Sequence, residues 1–69
     1  MNLMSLQLDE NALHIVGDML DGLENDDGWI KMTVRIAAQV DTKLTENGYV
    51  GMVTWFSESD YIEQEIEYK

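Results

Sequence analysis

The chain has no cysteine, no proline, a single histidine and only four Lys and Arg in 69 residues. Each shortage removes a class of explanation. Without cysteine there are no disulfides and no thiolate metal site. One histidine is too few for an ordinary zinc site built from protein ligands. Long apolar runs are missing too, and none approaches the roughly 18 residues a membrane span needs. The opening "MNLMSLQL" has no basic n-region and no small-residue cleavage site, so no secretory signal is expected. The chain starts at Met and reads as a complete small product, expected in the cytoplasm. There is no internal repeat and no interdomain linker.

What is present is acid. Fourteen Asp and Glu against four Lys and Arg give a formal net charge of −10. Such a chain is repelled by nucleic acid and anionic membranes and attracted to basic protein surfaces. It also repels itself, which matters at this size. Residues 1–69 form one small acidic domain, and a core of this length supplies only about 3–5 kcal/mol. With disulfides and an ordinary metal site excluded, association is the most available further source of stability. An apolar fraction of 45%, with two Trp, three Tyr and one Phe, argues for a folded chain rather than a disordered one.

Periodicity outlines the elements. Residues 3–8 alternate loosely and suggest a short strand. Asp9 is placed as a helix N-cap, with Glu10 at the positive end of the dipole. Ala12, Leu13, Val16, Met19, Leu20 and Leu23 then recur at helical steps, predicting an amphipathic helix over 9–23. "ENDDG" (24–28) is a turn by composition. Ile30, Met32, Val34, Ile36, Ala38 and Val40 alternate strictly and predict a long half-buried strand. A helix over 33–44 also fits Val34, Ala37, Val40 and Leu44, but it leaves Ile30, Met32 and Ile36 poorly placed. "DTKLTENG" (41–48) reads as a loop, "YVGMVTWFS" (49–57) as a central strand, and "YIEQEIEYK" (61–69) as an edge strand rather than a helix. The expected fold is α+β: one N-terminal amphipathic helix on a three-stranded antiparallel meander, with room for a short extra N-terminal strand.

No constellation points to catalysis. Setting Gly28 at the sixth position of a calcium loop puts Leu23 first and Val34 twelfth, where carboxylates are required. His14 and Asp18 share a helix face, but no third group is spaced to complete a metal or acid–base site. The serines lack a placed base, and no glycine loop is built for phosphate. The expectation is a protein that is not an enzyme and needs no cofactor and no metal.

Two acidic clusters remain. Asp18, Asp21, Glu24, Asp26 and Asp27 gather at and after the predicted helix end, where the dipole disfavours anions. Glu58, Asp60, Glu63, Glu65 and Glu67 gather near the C-terminus, the last three about 6.6–6.8 Å apart if on a strand. Acid on an edge strand also serves simply to prevent edge-to-edge aggregation, and for either cluster alone a solvated face is the default. Both together, with no motif elsewhere, favour a binding surface. By parity, Trp29, Tyr49, Trp55 and Tyr61 share the sheet face away from the helix, the pattern of aromatic anchors inside a charged rim.

The residues expected to meet a partner are therefore Asp26, Asp27, Trp55, Asp60, Tyr61, Glu63, Glu65 and Glu67. The partner class is a basic, nucleic-acid-binding protein, its groove occupied by carboxylates standing in for phosphates, with no direct binding of nucleic acid or membrane. In size and charge the chain is similar to the small acidic inhibitors that phages encode against host defence, such as anti-CRISPR, antirestriction and glycosylase-inhibitor proteins. That likeness implies a host-cell cytoplasmic inhibitor and carries over no functional residue. The alternative is a small structural or assembly protein that forms a homodimer through its bare sheet face.

Overall fold

A computed structural model describes residues 3–69, with buried and half-buried positions alternating along Trp29–Thr33 within a five-stranded sheet. Met1 and Asn2, and with them the reading of the chain's start, lie outside the described residues. In chain order the elements are β1 (Leu3–Gln7), α1 (Glu10–Val16), a 3-10 turn (Gly17–Leu20), β2 (Asn25–Asp26), β3 (Trp29–Thr33), α2 (Val34–Glu46), β4 (Gly51–Ser57) and β5 (Ile62–Tyr68). The strands form one sheet in the order β2-β3-β1-β4-β5, with every neighbouring pair antiparallel. This is a small α+β fold, as expected, but with five strands and two helices rather than three and one.

Two differences account for the change. The short N-terminal strand is real and central: β1 lies between β3 and β4, with Leu6 opposite both Ile30 and Trp55. The long strand expected over 29–40 stops at Thr33. There the Thr33 hydroxyl accepts the Ile36 N–H at 3.3 Å and caps α2, which runs through the segment expected as a loop. Ala37, Val40 and Leu44 are all fully buried on the inner face of α2. Two periods overlap in this stretch, and the helical one wins because its three buried positions close the core. Gly48, at φ 69°, ends α2 with the Tyr49 N–H bonded back to the Leu44 carbonyl at 3.0 Å.

The first helix starts where expected. Asp9 Oδ1 accepts the Ala12 N–H at 2.8 Å. It is shorter than expected, because the α-helix gives way at Gly17 to a single 3-10 turn ending at Leu20. Both helices bury their apolar stripes on one face of the sheet, where Leu6, Val16, Val40, Leu44 and Val53 are fully enclosed. Two hydroxyl–carboxylate bonds tie this layer to the sheet. Tyr49 Oη donates to Asp9 Oδ2 at 2.7 Å, and Tyr68 Oη donates to Asp41 on α2. The two rings meet edge to face, centroids 5.4 Å apart. Among the described residues, no helix is long and apolar enough to cross a membrane.

Candidate acidic docking face

Register decides what the other face of the sheet presents. Ile30, Met32, Leu6 and Val53 point into the core, so their strand neighbours point away from the helices. Two rows cross the uncovered face. Lys31, Ser5, Phe56 and Glu63 form one; Trp29, Gln7, Thr54 and Glu65 form the other, with Asp26 beyond Trp29. Glu67 stands opposite Met52 on the same side. Asp26 on β2 and Glu65 on β5 are thus four inter-strand steps apart, roughly 19 Å.

Between these acidic borders runs a row of rings. Trp29 and Phe56 meet edge to face at 6.3 Å, and Phe56 and Tyr61 at 6.2 Å. Trp29 and Phe56 border a shallow depression of about 350 Å³ lined also by Ser5, Asp26, Lys31, Glu58 and Glu63. Its floor is already partly neutralised. Lys31 Nζ lies 3.7 Å from Glu58 Oε1 and 4.0 Å from Glu24, and the buried Ser5 hydroxyl donates to that same Glu58 oxygen at 3.3 Å. On β5, by contrast, Glu63, Glu65 and Glu67 are all exposed, and among the described residues the one ion pair they make is Glu67 with Lys69, at 3.9 Å. Ion pairs this exposed contribute little to folding.

The expected site residues divide into three groups. Asp26, Tyr61, Glu63, Glu65 and Glu67 come together around the uncovered face. Asp27 and Asp60 lie in the adjoining turns. Asp27 and Gly28 form the two-residue connection from β2 to β3, both at positive φ (55° and 88°), the hairpin geometry that an Asp-Gly pair favours. Asp60 accepts a long bond from the Ser57 hydroxyl at 3.4 Å in the turn before β5.

Trp55 stands apart. It lies on the helix side, opposite Leu6 and packed against the core, and Tyr49 is buried there too. The expectation that these two rings share the bare face is corrected. Strand 51–57 is apolar on both parities, so its own pattern could not orient it. Phe56 takes the place expected for Trp55. The register settles it: Ser57 pairs with Ile62 across a four-residue connection, which sets Phe56 opposite Glu63.

Tyr61 itself is held in an uncommon conformation. Its φ is 55°, in the left-handed region, and the residue is 80% exposed. For an L-residue other than glycine this costs about 1–2 kcal/mol. The chain carries a large ring there with little burial in return. Among the described residues, no group of three or more His, Asp or Glu is arranged to hold a metal ion. No protein-family model, curated protein or solved structure matches the chain, so the reading of this face rests on its own residues.

Proposed function

We propose that this protein is a non-enzymatic acidic inhibitor that docks its uncovered sheet face onto a basic, nucleic-acid-binding surface of another protein. The observation carrying the proposal is the convergence of Asp26, Glu63, Glu65 and Glu67 around the ring row Trp29–Phe56–Tyr61, on the face no helix covers. The carboxylates meet lysines and arginines that otherwise hold phosphates, and the rings supply desolvated anchors. Trp29 and Phe56 take over the anchoring expected of Trp55, while Asp27 and Asp60 extend the acidic rim. Small size and a charge of −10 make phage counter-defence, of the anti-CRISPR or antirestriction kind, the setting this chemistry suits.

The test is a pull-down with tagged protein from nuclease-treated bacterial lysate. The proposal expects capture of a nucleic-acid-binding protein, lost in high salt and displaced by added DNA or RNA. Recovery of the chain alone, or of a partner indifferent to both, would sink it.

The exposed rings also suit the second reading, a homodimer through the same face. That reading expects self-association that strengthens with salt, because a two-fold contact brings each acidic border near its own copy. Sedimentation at two ionic strengths separates it from the first.

A further inference from the structure

The sheet has two edges, and they differ. β2, at one end, is a two-residue strand closed by a tight turn. β5, at the other, is seven residues long, and among the described residues nothing pairs with its outer side. An open edge of that length is a template for another strand. Its two faces restrict what can be added. A strand hydrogen-bonded to β5 lies about 4.8 Å away and sets its side chains directly beside those of β5. On the uncovered face these are Glu63, Glu65 and Glu67; on the other they are Ile62, Gln64 and Ile66, of which Ile62 is 56% exposed. A second copy of β5 run antiparallel, with both helix layers on the same side of the joined sheet, would oppose glutamate rows to each other, so the edge disfavours that pairing. A strand with basic residues at alternate positions and uncharged ones between is complementary at every step.

We infer that β5 binds its partner by strand addition, taking an extended basic segment, Lys or Arg at every second residue, onto its free edge. The partner's charge rests on the docking reading above; the mode of attachment does not. Backbone hydrogen bonds then supply affinity and the alternate glutamates supply selection. The acids that prevent edge-to-edge aggregation also choose the incoming chain.

The experiment follows amide hydrogen exchange in the full-length protein by NMR, titrated with three acetylated, amidated heptapeptides. One alternates lysine with valine and threonine. One carries glutamate in place of lysine. The third keeps the lysines but places proline between them, so it has the charge without the ability to join a sheet. We expect the first peptide to slow exchange at the β5 amides that do not bond to β4. It should bind at least about tenfold more tightly than the glutamate peptide, and Glu65→Lys should abolish the preference. The proline peptide should leave those amides unprotected. Equal binding of both lysine peptides, with no β5 amide slowed, overturns strand addition while leaving a side-chain docking face intact. Binding of no lysine peptide at low salt overturns both.

Discussion

On the helix-covered side of the sheet, Asp9 accepts the Tyr49 hydroxyl and Asp41 accepts that of Tyr68. On the uncovered side, Glu63, Glu65 and Glu67 stand in water, with one loose contact to Lys69. The first pair of acids belongs to the fold: Asp9 caps α1 and anchors the segment leading into β4, and Asp41 joins α2 to β5. The second set does nothing comparable for the fold and, by mutual repulsion, slightly opposes it. Acids that stability does not use are the ones available for a partner. The comparison between faces carries more functional information than the net charge does.

The largest effect that would sharpen this contrast is Asp9→Ala. It removes the helix cap and leaves the buried Tyr49 hydroxyl without a partner, at a combined cost of about 2–3 kcal/mol. In a domain of this size that is most of the available stability. Glu65→Ala on the other face should change it by no more than about 0.5 kcal/mol. Paired urea melts measure both, and equal losses would show that the two faces do not differ as described.

Alkali offers the next test. Burial, reinforced by Asp9, pushes the Tyr49 phenol up to about 12; burial, reinforced by Asp41, raises Tyr68 as well. An unfolded tyrosine ionises near its ordinary value of about 10. The folded chain therefore keeps these protons longer than the unfolded one. Their contribution is complete below pH about 10 and is lost as pH rises through the folded values. Thermal melts should stay level from pH 8 to about 9.5 and fall beyond it, and Tyr49→Phe should flatten that fall. A melt indifferent to pH up to 11 would mean the buried hydroxyls are not held as described.

A smaller effect is expected of opposite sign. Tyr61→Gly relieves a left-handed φ and should leave stability unchanged or raise it by up to about 1 kcal/mol, while removing the outermost ring of the docking face. Loss of partner binding together with unchanged or greater stability would mark Tyr61 as kept for contact. Loss of stability would make it a structural residue.

Much of this was legible in the residues, and the rest was hidden for identifiable reasons. Asp9 as a cap and the outward glutamates of the last strand follow from local chemistry, and the structure agrees; of the turn expected over 24–28, Asp27 and Gly28 make the turn while Asn25 and Asp26 pair as β2. The 29–40 segment misled because its alternation continues past Thr33 into a stretch that also has helical spacing. Nothing local says that the hydroxyl of Thr33 will cap. Trp55 and Phe56 were interchangeable because their strand is apolar on both sides. The Tyr49–Asp9 bond joins residues 40 apart, and no pattern along the chain predicts such a pair. Of the candidate docking face, the acidic borders were readable and the ring row between them was only half so.

The most direct test asks whether position or total charge matters. Two variants each neutralise three exposed acids. One is Glu63→Gln, Glu65→Gln and Glu67→Gln on β5; the other is Asp18→Asn, Asp21→Asn and Glu46→Gln, away from the uncovered sheet face. Both carry the same net charge, and both should fold. Quantitative pull-down beside the unmodified protein should show capture lost with the β5 variant and retained with the other. Equal capture by the two variants would contradict a docking face and leave the acid as a matter of bulk charge.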